Sequence, residues 1–314
     1  MDFFLRPLFC TEKYRYLRDA ICDEDGFTAG YVERNRFPDG ELYQRIMEPV
    51  KGQEVFLIGG TSGERETLEL FDLACGLVYE GAISLTLIIP YFGYSTMERA
   101  IRDGEVVPAK NRALLLSAIP KARMGNEFVF FDLHTQGVPH YLEGNVRLAQ
   151  LSARSIVTDV LGQFGTDVVL ASTDAGRAKW VESLANDLGV EAAFVYKRRL
   201  SGSETRVTGV NANVKDRTIV IYDDMIRTGG SMIQAAKAYL ENGARDVIAM
   251  TTHGVFPGDA LQKMKAAACF KWIGCTNTHP RAVELLREQS ETEDFLRVFD
   301  VSQVIRDYVV HENS

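Results

Sequence analysis

TIVIYDDMIRTGGSMIQAAKAYLENGARDVIAMT, residues 218–251, decides the fold. Thr218–Tyr222 is a short apolar, β-branched run and predicts a strand; Gly230–Asn242 has helical periodicity, with Gly243 suited to the position just past a helix end; Val247–Thr251 predicts a second strand. Strand, helix and strand within so few residues form a βαβ unit of a parallel sheet covered on both faces. Between the first strand and the helix lies DDMIRTGGS. A loop there meets unpaired backbone N–H groups and the positive end of the helix dipole, a setting for phosphate. Gly229 and Gly230 let the backbone approach an anion, Thr228 and Ser231 offer hydroxyls, and Asp223 and Asp224 can accept from sugar hydroxyls or hold a metal-bound water. The bland alternative is a capped helix after an ordinary strand. Two acids, two hydroxyls and two glycines placed together favour a sugar-phosphate site.

The same alternation extends outward. Apolar runs at Glu54–Gly59, Leu85–Pro90, Phe128–Leu133, Val168–Ser172 and Ala193–Tyr196 predict further strands, separated by expected helices at Glu66–Gly81, Ala109–Ile119, Asn145–Phe164 and Ala175–Leu188. The fold class is α/β. The chain has 314 residues, enough for two domains. The expected boundary divides it into 1–150 and 151–314, with the last residues placed to pack back on the first domain. Each half holds a strand ending in acid before a loop, FFDLHT and VIYDDMIRTGG, which hints at duplication.

Composition excludes several classes. The net charge is −8 and the pI about 5.3, which gives no general electrostatic reason to bind nucleic acid, so an anionic ligand needs a local site. No apolar stretch approaches the roughly 20 residues of a membrane span, and the first residues lack a secretory pattern, so the chain reads as cytoplasmic. The five cysteines are widely spaced and form neither a metal pattern nor a disulfide framework; buried free thiols are expected.

Eight ordered segments carry a family resemblance: RFPDGELY (36–43), IPYFGY (89–94), PAKNRALLL (108–116), DLHT (132–135), STDAGRAKW (172–180), YKRR (196–199), DDMIRTGGS (223–231) and THGVF (252–256). Together they resemble the ribose-phosphate pyrophosphokinases over about Arg34 to Val301. The resemblance implies two similar type I phosphoribosyltransferase-like domains, an active site between them, and transfer of the β,γ-diphosphoryl group of ATP to the C1 hydroxyl of ribose 5-phosphate. It further implies Mg2+ and a homo-oligomer, at least a dimer and by family habit a hexamer. By the same resemblance Phe37, Asp39 and Glu41 contact adenine and ribose across a subunit interface, and Arg99 and His134 contact the nucleotide. Asp132, His134 and Asp174 are the metal candidates. Lys197 and Arg199 form the catalytic basic pair on a mobile loop, and Asp174, Asp223, Asp224, Arg227, Thr228, Gly229, Gly230 and Ser231 hold the acceptor. Diphosphoryl transfer needs positioning and cationic stabilisation more than covalent help, which suits Lys197 and Arg199. His140, His253 and His279 are expected to be structural.

The departures from the family are local. Thr96 and Met97 stand where an arginine and a glutamine are usual, although Glu98 and Arg99 keep the acid and base that follow. Thr173, Gly176 and Arg177 replace common neighbours of Asp174, and Arg227 adds a guanidinium to the sugar-phosphate turn. Guanidinium groups favour bidentate anion contacts beyond what one phosphate requires. An acceptor with an esterified 5-phosphate, ADP-ribose, is therefore the alternative, and the departures resemble a divergent branch of the family that makes ADP-ribose pyrophosphate for NAD synthesis. A catalytically silent regulatory subunit is a further alternative; another is a phosphoribosyltransferase or its nucleic-acid-binding repressor relatives, to whose pattern the YFGY, DLH and KRR segments do not belong.

Overall fold

The computed structural model describes residues 6–22, 26–173, 178–201, 204–289 and 294–311, though not the side chains of 166, 196–201, 204–210 and 311. The chain forms two compact units, 1–152 with 301–314, and 153–300.

The first unit comprises β1 (Arg6–Cys10), α1 (Arg15–Cys22), β2 (Phe27–Ala29), β3 (Val32–Arg36), β4 (Leu42–Ile46), β5 (Glu54–Ile58), α2 (Glu64–Tyr79), β6 (Ser84–Ile89), α3 (Pro108–Ser117), β7 (Asn126–Phe131) and β8 (Arg147–Leu151). Six strands form a parallel sheet in the order β2-β1-β5-β6-β7-β8, while β3 and β4 form a separate antiparallel hairpin. The second unit comprises α4 (Arg154–Gly162), β9 (Val168–Ser172), α5 (Ala178–Leu188), β10 (Glu191–Ser201), β11 (Glu204–Val210), β12 (Thr218–Ile226), α6 (Gly230–Glu241), β13 (Asp246–Gly254), α7 (Ala260–Ala266), β14 (Ile273–Thr276), α8 (Pro280–Glu288) and β15 (Leu296–Phe299). Its sheet runs β11-β10-β9-β12-β13-β14-β15, parallel except for β11. The last helix, α9 (Ser302–His311), returns to the first unit, where Tyr308 donates to Glu127 at 3.0 Å and Arg6 donates to the Val309 carbonyl at 3.3 Å.

Period-2 alternation explains why β12 sits mid-sheet. Ile219 and Ile221 enter one core with Met232, Ala235 and Ala236 of α6, while Val220 and Tyr222 enter the opposite core with Val157, Val181 and Leu184. Each of Ile219, Val220 and Ile221 contributes about 1.5–3 kcal/mol of burial, so β12 is anchored on both faces.

Three sequence expectations are corrected. The segment expected to be helical from Asn145 begins instead with β8, and α4 starts only at Arg154, because RLAQL pairs with β7 at the sheet edge. β12 runs through both aspartates to Ile226, because the long β13 continues the ladder through Met225↔His253 and Ile226↔Gly254. Lys197 and Arg199, expected on a mobile loop, lie in a strand: β10 continues to Ser201 and pairs antiparallel with β11. All five cysteines are free; Cys10, Cys269 and Cys275 are buried, Cys22 and Cys75 half-buried. Among the described residues no helix is long and apolar enough to cross a membrane.

Candidate active site

In the second unit the site is built where β12 ends. Gly229 adopts φ 76 at the N-cap of α6, and a Cβ there would stand 2.5 Å from Cγ and Sδ of the buried Met264 on α7. Backbone and packing therefore both require glycine at this point. At Gly230 an added Cβ would meet nothing nearer than Thr228 Oγ1 at 3.9 Å, so this glycine leaves the approach to the helix start open. Helix α6 has no side-chain cap and no acid in its first turn. Its leading N–H groups and dipole thus remain available to an anion. Arg227, Thr228, Gly230 and Ser231 are exposed around that helix start, and Arg227 pairs with no acidic group among the described residues.

The two aspartates behave differently because they occupy a strand. Pleating sends Asp223 to the α6 side and Asp224 to the other. Asp223 is half-buried; its Oδ2 accepts from the Thr173 hydroxyl at 3.0 Å and its Oδ1 from the Asp224 N–H at 2.9 Å. Asp224 is buried, 2% exposed. Behind them Tyr222 stacks on Trp180, centroids 4.1 Å apart, and shares a 2.8 Å hydrogen bond with Thr252. His253 bonds Thr278 through Nδ1 at 2.8 Å, and His279 caps α8 by accepting from the Arg281 N–H at 3.1 Å. Both histidines are thus structural. Backbone pairing sets Lys197 opposite Val207 and Arg199 opposite Thr205, between two register shifts. Their side chains, and all of Asp174 to Arg177, lie outside the described residues.

In the first unit Asp132 follows β7 at φ 37, unusual for a residue with a side chain, while its N–H donates to the Leu151 carbonyl at 2.9 Å. That sharp turn leaves Asp132 half-buried and His134 exposed at the carboxyl end of the sheet, where α/β proteins bind ligands. Among the described residues no three His, Cys, Asp or Glu side chains gather as a metal site. Of Asp132 and His134, only Asp132 is a carboxylate, the type of side chain through which Mg2+ is held, one or two at a time, with substrate phosphates and water completing its shell. Arg99 extends into solvent, 77% exposed, 3.5 Å from Glu98. Phe37, Asp39 and Glu41 form the tip of the β3–β4 hairpin, where the Phe37 N–H donates to the Glu41 carbonyl at 2.9 Å and the Glu41 N–H to Asp39 Oδ1 at 3.1 Å.

Residues 7–119 match the N-terminal domain of ribose phosphate pyrophosphokinase, and residues 172–312 the phosphoribosyl synthetase-associated domain. The ribose-phosphate pyrophosphokinase of Streptomyces coelicolor is 32% identical over 79% of this chain and 76% of its own. The chain belongs to the ribose-phosphate pyrophosphokinase family. The enzyme of that name from Campylobacter jejuni is 31% identical over 89% of this chain and 87% of its own. The crystal structure of phosphoribosylpyrophosphate synthetase from Mycobacterium smegmatis superimposes with a TM-score of 0.83 at 26% identity, covering 98% of this chain and 100% of that one. This member of the ribose-phosphate pyrophosphokinase family is accordingly a transferase with the type I phosphoribosyltransferase-like fold.

Within this pyrophosphokinase, two groups carry interactions that motif reading left without a role. Thr173 was visible only as a departure from a usual proline, yet its hydroxyl holds Asp223 across the sheet. Tyr94, at φ 62, donates to Glu64 Oε1 at 2.5 Å, and Arg112 lies over the Tyr94 ring at 4.8 Å. The Tyr94 hydroxyl holds the Glu64 carboxyl below its ordinary range, and the same bond pushes the phenol up. Glu64 and Glu66 fill the first turn of α2, so that helix start is supplied with its own negative charge while that of α6 is not.

Proposed function

We propose that the protein transfers the β,γ-diphosphoryl group of ATP to the C1 hydroxyl of a ribose 5-phosphate group. The acceptor oxygen attacks the β-phosphorus, the bond from that phosphorus to the α,β-bridging oxygen breaks, and AMP leaves. The observation that carries this reading is the open, uncapped start of α6, held by Gly229 against Met264 and flanked by Asp223, in a member of the ribose-phosphate pyrophosphokinase family.

In this reading the N–H groups of α6 with Thr228 and Ser231 bind the 5-phosphate, and Asp223 accepts from the ribose hydroxyls, braced by Thr173 and the Asp224 amide. Phe37, Asp39, Glu41, Arg99 and His134 are assigned to ATP, with the hairpin tip serving a neighbouring copy in a homo-oligomer. Lys197 and Arg199 stabilise charge on the transferred group. Asp132, His134 and Asp174 would hold Mg2+, whose chemistry is to neutralise phosphate charge. No protein nucleophile is needed.

Ribose 5-phosphate is the acceptor that the relatives' name supports, and that name lends nothing to a catalytically silent role. A second reading, ADP-ribose as acceptor, rests on Arg227: an exposed guanidinium, unpaired among the described residues, beside the helix start suits a second phosphate. Purified protein with ATP, Mg2+ and either acceptor should release AMP. Release with neither overturns the proposal; a strong preference for ADP-ribose selects the second reading.

A further inference from the structure

We propose that the buried Arg34–Glu69 ion pair is a positioning device that aims the β3–β4 hairpin, and with it Phe37, Asp39 and Glu41, at ATP. The inference rests on the reading above that the hairpin tip contacts the nucleotide.

The hairpin lies outside the six-stranded sheet, and its strands alternate half-buried and exposed positions. Its apolar hold is at the base, where Val32 and Ile46 pack against the first unit's core. Such contacts are non-directional. Arg34, two residues nearer the tip on the same inner face, supplies the direction. Its Nε donates to Glu69 Oε1 at 2.9 Å, one terminal nitrogen to the Cys10 carbonyl at 2.5 Å and the other to its own strand's Val32 carbonyl at 3.3 Å. Glu69, on α2, also accepts from the Glu12 N–H at 2.8 Å, so one guanidinium ties the hairpin to β1, to α2 and to the chain after β1. The two side chains are 8% and 9% exposed. A planar fork held at three acceptors fixes an angle as well as a distance.

The tip keeps its shape by local bonds: the Gly40 N–H donates to the Phe37 carbonyl at 2.9 Å and Arg36 donates to the Gly40 carbonyl at 2.8 Å. Its shape is thus independent of Arg34, whereas its aim depends on it. A buried ion pair is also a weak stabiliser compared with packed apolar residues of similar size, which leaves orientation as its distinctive contribution.

The test measures AMP release against ATP and against acceptor, with urea unfolding in parallel, for Arg34→Met/Glu69→Leu, Arg34→Lys, Phe37→Ala and the triple variant. The double variant removes both charges together and should raise the KM for ATP roughly tenfold, leaving kcat and acceptor KM within about twofold. Arg34→Lys should fall between, and it carries the test if the double variant does not fold. In the Phe37→Ala background the double change should add little, since both act through one contact. If Phe37→Ala raises the KM for ATP but neither Arg34 variant does, positioning is wrong. A fall in kcat and a rise in both KM values that track a fall in unfolding midpoint show a purely structural pair and also overturn it. If Phe37→Ala itself leaves the KM for ATP unchanged, the nucleotide assignment fails and the inference with it.

Discussion

Replacing Gly229 by alanine should damage the second unit far more than the same change one residue later. At φ 76 a side chain costs about 1–2 kcal/mol. The new Cβ would also stand 2.5 Å from Cγ and Sδ of Met264, which is fully buried, and repacking a filled core costs about 1–3 kcal/mol. The expected loss is about 2–5 kcal/mol. Gly230→Ala meets only Thr228 Oγ1 at 3.9 Å and is not among the positive-φ glycines, so its stability should hold. Both tryptophans, Trp180 and Trp272, lie in this unit, so their fluorescence in a urea titration reports its unfolding. Gly230→Ala should still raise acceptor KM, roughly tenfold, because its methyl group stands at the open helix start. Equal unfolding midpoints for the two variants would refute the packing argument.

Thr173→Val removes a hydrogen bond to a carboxylate, about 1.5–3 kcal/mol, and should raise acceptor KM roughly tenfold with the KM for ATP unchanged, in initial-rate assays. Arg227→Ala should lower kcat/KM for ribose 5-phosphate by about tenfold; a markedly larger loss for ADP-ribose in the same assay is the signature of the second acceptor. Burial pushes the Cys10 thiol up from 9.0 to about 11. The unfolded thiol therefore ionises first, so the contribution of Cys10 to stability is complete below about pH 9 and is lost as pH rises toward 11, by roughly 2–3 kcal/mol. Urea unfolding followed by circular dichroism near pH 8 and near pH 10.5 should show a smaller decline for Cys10→Ala than for the parent chain.

The α/β fold was legible wherever strands are buried on both faces, because TIVIY or FVFFDL can pack only as continuous apolar runs. It was illegible where pairing overrides composition. RLAQL reads as helix but is an edge strand, with three of its five residues exposed. The hairpin carrying Phe37 alternates charged and half-buried residues, and its anchor, Arg34 to Glu69, spans 35 positions. In the candidate site, the turn at Gly229 was visible from its glycines and hydroxyls. The separation of Asp223 from Asp224 was not, because it follows from the ladder extending four residues beyond Tyr222, which β13 imposes from across the sheet. The role of Thr173 was hidden for the same reason: its partner lies 50 positions away.

The most direct measurement follows the label of ATP carrying a radioactive β-phosphorus through a single turnover with Mg2+ and ribose 5-phosphate or ADP-ribose. Diphosphoryl transfer puts all of the label on the acceptor, at its C1 oxygen, and leaves unlabelled AMP. Label retained in ADP, or no transfer to either acceptor, would contradict it.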